Sequence, residues 1–310
     1  MKKIIGYFHI CQIGDWKRSF DMLFNCVKNY GLYDNTNEIR LGILNNNGNI
    51  DDYRLHDSKI KIIFVATPHF YERLTLLHMR NSCDSDGKET VYWYLHTKGL
   101  RHFGTPKESF VIDWIKLMLY WNIQKWRYAL DVLNTHNTYG INIFRNVFYS
   151  GNFWWARSEH VACLPTHIED YYTAPEEWIL RKKDGIFEAF SSGIQGQGHY
   201  NMNYDESKYM QGDDISKILP IDFYIDTYKM YHADLNKNTS EQYLEDYFVN
   251  GIKTGINYNR SEILNYFNKS NEDFDFELYK SFDSQLSNFS NEQLIIHWFT
   301  KGIFEKNLLE

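Results

Sequence analysis

The chain has 310 residues, 43% hydrophobic and 24% charged, the balance of an ordinary soluble globular protein with one large α/β domain and an appendage, or with two domains. A net charge of −7 and a pI near 6.0 argue against broad electrostatic capture of nucleic acid. No stretch approaches the roughly 18 apolar residues of a membrane span. The four cysteines, Cys11, Cys26, Cys83 and Cys163, lack CxxC spacing and a nearby His pair, so they read as free thiols of a reducing, cytoplasmic compartment.

Strand signals recur ahead of helical stretches. The opening MKKIIGYFHICQIG is interrupted by His9 and Gln12 and lacks a small-residue cleavage site, so it reads as a first strand, Lys3 to Phe8, and not as a signal peptide. Helical spacing follows from Trp16 to Tyr30, through Phe20, Leu23, Phe24 and Val27. Strands are expected over Glu38 to Leu44, running into an Asn-rich turn, and over Lys59 to Ala66, followed by a helix from Tyr71 to Asn81. Val91 to Leu95 is the fourth strand, Phe110 to Asn134 is mostly helical, and Tyr139 to Phe144 and Asn152 to Arg157 supply further strands. Such alternation predicts a mostly parallel, doubly wound sheet. No GxGxxG or Walker sequence is present, so neither the dinucleotide fold that carries that fingerprint nor a P-loop enzyme is supported.

The last hundred residues differ. Tyr228-Lys229, Leu235, Glu241-Gln242, Phe248 and Gly251-Ile252 recur 51 residues later as Tyr279-Lys280, Leu286, Glu292-Gln293, Phe299 and Gly302-Ile303. Each copy reads as a short helix, a polar turn and a second helix ending at a glycine in a left-handed cap. The expected division is a domain over residues 1–205 and a helical region over 206–310, with related units at about 224–253 and 275–304.

Two segments carry the chemistry. Val91-Tyr92-Trp93-Tyr94-Leu95 runs into His96-Thr97-Lys98-Gly99, at the carboxyl end of a strand, where open α/β sheets bind ligands. Lys98 would supply a point charge, His96 and Thr97 hydrogen bonds, and Gly99 room for close backbone approach to an anion. Alone, this tetrapeptide reads more readily as a solvated strand-to-loop turn, and the second segment changes that balance. The second segment, Gly151-Asn152-Phe153-Trp154-Trp155-Ala156-Arg157, alternates its faces. Phe153 and Trp155 enter the core, and Trp154 is left to meet a sugar or base. The aromatic total, 24 Tyr, 21 Phe and 9 Trp, suits such a surface, although an AT-rich coding bias accounts for it equally.

In this order, the two segments resemble a family assigned to glycosyl transfer in large DNA viruses, bacteria and some protists. Weaker likenesses accompany them: Gly6-Tyr7-Phe8-His9-Ile10-Cys11-Gln12-Ile13-Gly14-Asp15-Trp16, Gly31-Leu32-Tyr33-Asp34, Tyr71-Glu72-Arg73-Leu74-Thr75-Leu76, Ile112-Asp113-Trp114, and Ala174-Pro175-Glu176-Glu177-Trp178-Ile179. The resemblance covers roughly the first two-thirds of the chain. It implies a GT-A-like, Rossmann-like nucleotide-sugar domain with a mostly parallel sheet. The implied activity is a hexosyl- or pentosyltransferase using a UDP- or GDP-sugar and a glycan or glycoprotein acceptor. The alternative is a non-catalytic carbohydrate-binding or glycan-assembly module on the same fold.

Most GT-A enzymes grip the diphosphate through a metal held by Asp-x-Asp at the end of the fourth strand. Here Asp84-Ser85-Asp86 precedes the strand and reads as a solvated turn, while His96-Thr97-Lys98 stands in the motif's place. A cation there could replace the divalent ion. His96 could instead ligate Mn or Mg with a distant residue such as His199, so metal dependence stays open. Glu176 and Glu177, at the start of a helix after a proline, are the candidate bases, with N-terminal helix charge as the competing reading. Asp113 is a further candidate that could equally cap or pair locally. His9 and Cys11 end the first strand, and Asn45 to Asn47, centred on Asn46, end the second, near the expected base and ribose. Glu72 and Thr75 fall three apart on one helical face. Gly151 and Asn152 are placed at the sugar, and Arg157 at phosphate or paired at the surface.

Overall fold

The computed structural model describes residues 2–46, 52–182, 184–194, 198–210, 212–270, 274–282 and 284–299. The chain divides into two units, Met1–Val27 with Leu32–Asn49 and Lys59–Ile218, and Lys28–Gly31 with Ile50–Ser58 and Leu219–Glu310. No helix among the described residues is long and apolar enough to cross a membrane.

The first unit is α/β, built on a seven-stranded, mostly parallel sheet. In chain order it runs β1 (Ile4–Cys11), α1 (Trp16–Asn29), α2 (Leu32–Asn35), β2 (Glu38–Leu44), β3 (Ile60–Ala66), α3 (Arg73–Asp86), β4 (Val91–His96), α4 (Glu108–Leu119), α5 (Trp126–Val132) and β5 (Thr138–Ile141). The hairpin β6 (Ile143–Phe144) and β7 (Phe148–Tyr149) follows, then β8 (Trp154–Arg157), α6 (Ser158–Ala162), α7 (Ala174–Trp178) and β9 (Phe187–Phe190). The sheet order is β3-β2-β1-β4-β8-β5-β9. β1 and β4 are buried along nearly their whole length, which is why they read as continuous apolar runs and not as alternating ones. From β1 the chain steps one way through β2 to β3, then crosses to β4 on the other side of β1. The order therefore reverses between β1 and β4, whose register sets His9 beside His96. A crevice outside their carboxyl ends is the place where such a sheet binds ligands.

The close approach of β1 to β4 depends on Gly6, where a Cβ would overlap the Trp93 indole. Gly6→Ala should therefore lower stability by about 1–3 kcal/mol through overpacking. Urea unfolding measures this, and an unchanged midpoint would show that Trp93 can swing aside.

Several local expectations are corrected. β8 runs antiparallel to both β4 and β5. The expected strand Tyr139 to Phe144 is cut at Asn142, whose φ of +47° turns β6 into a separate hairpin. α3 starts at Arg73, not Tyr71, because Tyr71 has a φ of 47°. A π-helical turn at Tyr120–Gln124 separates α4 from α5. β9 had no apolar run to announce it, being a half-buried edge strand of sequence Phe-Glu-Ala-Phe. Asp84-Ser85-Asp86 is not a solvated turn. It is the end of α3, and Asp86 is buried at the amino end of β4, receiving Arg40 Nη1 (2.7 Å) and Nη2 (2.6 Å) and Tyr92 Oη (2.9 Å). The boundary expected at residue 205 falls after Ile218, because residues 206–217 are carried on the first unit. There Lys116 pairs with Glu206 at 2.5 Å, and Tyr120 Oη donates to Asp214 at 2.8 Å.

The second unit contains α8 (Ile225–Tyr231), α9 (Ser240–Val249), α10 (Arg260–Ser270), α11 (Phe276–Ser281) and α12 (Asn291–His297). α8 and α11 start 51 residues apart, as do α9 and α12. The capping boxes Thr239–Gln242 and Ser290–Gln293 share that spacing, so the offset is one of helix-starting signals. Gly251 is not a left-handed cap. The chain continues there into a 3-10 turn that ends at Gly255 (φ 70°), and Gly251 is needed because a Cβ would overlap Tyr228. Gly302 and Ile303 lie outside the described residues.

Candidate functional site

The carboxyl ends of β1 and β4 open into a cavity of about 310 Å³. His9 and Cys11 come to it from β1, and His96, Thr97, Lys98 and Gly99 from β4. Glu72 enters at the start of α3, Trp114 from α4, Gly151 from the turn before β8, and Glu176 from α7.

The polar tetrapeptide splits its duties. Thr97 Oγ1 accepts from Cys11 N (2.9 Å) while Thr97 N donates to His9 O (2.9 Å), so this hydroxyl ties the two strand ends together. Ser19 Oγ accepts from Lys98 N (3.1 Å) and fixes the next residue. Gly99, at φ 77°, follows, and a Cβ there would strike Val111 of α4. The outcome is a buried Lys98 whose Nζ stands 4.5 Å from the centroid of the Trp114 ring and 6.0 Å from that of Tyr200. Among the described residues no carboxylate oxygen comes within 4.0 Å of it. Ring faces compensate a desolvated ammonium only in part, since cation–π attraction is worth about 2 kcal/mol or somewhat more and an unpaired buried charge costs several times that. An anion placed beside Lys98 would offset that cost.

Opposite stands a preorganised carboxylate. Asn152, fully buried with φ 59°, donates through Nδ2 to Glu72 Oε2, while its Oδ1 accepts from Trp154 Nε1 at 2.8 Å. Tyr94 Oη also donates to Glu72 Oε2 (2.9 Å), and His96 Nδ1 lies 3.6 Å from Oε1. His96 Nε2 is 3.0 Å from Gly151 O and Nδ1 is 3.2 Å from Thr97 O, so both ring nitrogens face carbonyl oxygens and the single hydrogen of a neutral ring serves only one of them. Burial, reinforced by the Lys98 charge, lowers the His96 pKa to about 4. Burial lowers His9 to about 4 as well, and its Nδ1 meets Thr75 Oγ1 at 2.8 Å. Both rings are neutral at pH 7.

Glu176 and Glu177 part company. Glu176 lines the cavity, and its pKa is raised by burial, opposed by Lys98 and reinforced by the charge of Glu72. Glu177 turns away, accepting from Tyr171 Oη (2.5 Å) and Thr173 Oγ1 (3.0 Å), with Arg181 at 3.6 Å. It is not a base for this cavity.

Other expected site residues lie elsewhere. Trp154, 1% exposed, stacks on Tyr94 at 4.9 Å inside the core and cannot reach a sugar. Asn152 is consumed in holding Glu72. Arg157 pairs with Val91 in the sheet, at the amino end of β4, and bonds Glu159 at 2.8 Å. The antiparallel run of β8 carries the chain from the cavity at Gly151 to the opposite edge at Arg157. Asp113 faces the loop at 203–204, accepting from Asn203 Nδ2 (2.7 Å) and Tyr204 N (3.2 Å). Thr75 stands behind His9, and Asn46 is exposed outside the cavity lining. Asn45 is buried against Gln12 (2.8 Å), and Asn47 lies outside the described residues. His199 sits behind Trp114, stacked on it at 5.4 Å with Nε2 3.1 Å from Ser192 Oγ, so it is not gathered with His96 into a ligand set. Among the described residues no group of three or more His, Cys, Asp or Glu side chains is arranged to hold a metal ion.

The residues missed were aromatic and basic: Tyr71, Arg101, Trp114, Tyr172 and Tyr200 all line the cavity. Tyr71 and Trp114 each stood in a segment that carries the resemblance, and nothing in the sequence set Arg101, Tyr172 and Tyr200 apart from surface tyrosines and arginines. Compared with models of protein families, with curated proteins and with solved structures, the chain matched none.

Proposed function

We propose that this cavity is the active site of a glycosyltransferase on a GT-A-like fold. It would move a hexosyl or pentosyl group from a UDP- or GDP-sugar to a hydroxyl of a glycan or glycoprotein. The observation that carries the reading is the pairing, in one crevice at the switch point of the sheet, of a buried Lys98 with no carboxylate oxygen within 4.0 Å among the described residues and a half-buried Glu176 whose carboxyl pKa is raised by desolvation. Donor diphosphate oxygens are assigned to Lys98, which neutralises charge on the leaving group as its bond to the anomeric carbon breaks. The Glu176 carboxylate takes the proton of the acceptor hydroxyl as that oxygen attacks. Glu72, held in place by Asn152 and Tyr94, is oriented to accept from donor-sugar hydroxyls.

Incubation with UDP-, GDP- and dTDP-sugars and saccharide acceptors, with nucleotide release followed by chromatography, tests the reading. Binding without release from any donor would favour a carbohydrate-binding module. Lys98→Met, which keeps the stem and removes the charge, should weaken UDP or GDP binding roughly ten- to a hundredfold, as loss of a charge-assisted contact does. Calorimetric titration measures this, and parental affinity in the variant would place the diphosphate elsewhere.

A further inference from the structure

With Trp154 in the core, the cavity still has an aromatic face, at its mouth. Tyr71 is 43% exposed and Tyr172 is 61% exposed, their ring centroids 5.3 Å apart and their planes at 86°. Both line the cavity, and Tyr172 precedes Glu176 by four residues on the same wall. The corner they make is held from behind. Arg73, at the start of α3, donates through Nε to Glu169 O (2.8 Å) and through Nη2 to Tyr171 O (2.7 Å), tying the segment before Tyr172 to the residue after Glu72. Its guanidinium also lies 5.5 Å from the centre of the Tyr71 ring.

Tyr71 itself is an outlier, with φ 47° and ψ −142°. That region is almost reserved for glycine, and a side chain persists there only where its surroundings over-determine it. A glycine would serve the backbone better. What the tyrosine adds is an exposed ring beside Tyr172.

We infer that Tyr71 and Tyr172 form the acceptor subsite and that its occupant is a pyranose ring. This deepens the glycosyltransferase reading and rests on it for the word acceptor. A pyranose offers an apolar C–H face to one ring while its hydroxyls meet the phenols and the water around them, which matches two half-exposed tyrosines better than an extended peptide or an acyl chain. A sugar seated there presents a hydroxyl along the wall toward Glu176.

The test needs no turnover. Saturation-transfer NMR of the parent protein with lactose, cellobiose, maltose and chitobiose, alone and with UDP or GDP, should show binding of at least one disaccharide. Tyr172→Ala and Tyr71→Gly should weaken it about three- to tenfold, the range of a stacking contact. Tyr172→Phe should retain most of it, and nucleotide affinity should stay unchanged in all three. Tyr71→Gly should unfold at the same temperature as the parent or higher, which separates recognition from folding. If no disaccharide binds the parent, or if binding survives both Tyr172→Ala and Tyr71→Gly, the subsite is overturned while nucleotide binding leaves the transferase reading standing. If disaccharide binding depends on the tyrosines but no nucleotide binds, the subsite stands and the transferase reading falls.

Discussion

Glu176→Gln is expected to slow sugar transfer by about a hundredfold or more, the usual contribution of a general base, while leaving UDP or GDP affinity nearly unchanged. The substitution is close to isosteric, so the packing of α7 survives and the loss is chemical. Its pH signature is more specific than its size. Burial raises the Glu176 pKa, Lys98 pulls it down and the Glu72 charge pushes it up again. The active form is the carboxylate, so the rate should rise with pH through a pKa above the ordinary carboxylate range, and that acidic limb should vanish in the variant. A bound diphosphate would offset the Lys98 charge, removing the influence that favours ionised Glu176. The acidic limb of kcat should therefore lie at higher pH than that of kcat/KM. If the Gln variant keeps full transfer activity, the base is another carboxylate. Glu72, inside the cavity, then becomes the candidate, because Glu177 and Asp113 are bonded away from it.

How far the sequence could be read follows from what each residue type can signal by itself. β1 and β4 are apolar throughout because both of their faces are buried, and such runs are legible without any partner strand. The crevice followed from β4, since a polar tetrapeptide placed abruptly after a buried run marks a strand end. What failed was direction. Phe153-Trp154-Trp155 announces a strand but not its sense, and the antiparallel pairing of β8 with β4 sends Trp154 into the core and Arg157 to the opposite edge. The same uncertainty hid the role of Asn152, which required knowing that Gly151 and Asn152 both adopt positive φ and so bring an amide against Glu72. Between Glu176 and Glu177 the choice needed the rotation of a five-residue helix, which no periodicity in so short a segment fixes. The tyrosines at the mouth were illegible for another reason. Among 24 tyrosines these two carry no contrast until their backbone and exposure are known.

The largest thermodynamic effect should come from acid. His9, His96, His160 and His199 are all buried, and burial lowers each to about pH 4. His9 and His96 line the cavity, and His160 Nε2 is 2.7 Å from Ile179 O, next to the helix that carries Glu176. In the unfolded chain each imidazole titrates near 6.5. Between about pH 6.5 and pH 4 the unfolded state therefore binds more protons than the folded one, and stability must fall as pH falls through that window. At pH 5 the loss is on the order of 2 kcal/mol for each ring taken singly, from about 1.4 kcal/mol per pH unit. Glu176 runs the other way, since a raised carboxyl pKa adds stability at low pH, but it is one group against four. Several such losses together rival a whole folding free energy of about 5–15 kcal/mol. Urea midpoints should fall steeply from pH 7 to pH 5, with unfolding setting in around the lower value. His160→Gln, which keeps a polar group near Ile179 O but cannot titrate, should be less stable than the parent at pH 7 and show a shallower decline. A midpoint flat across that window would mean that these imidazoles titrate in the folded protein as they do in the unfolded chain, near 6.5.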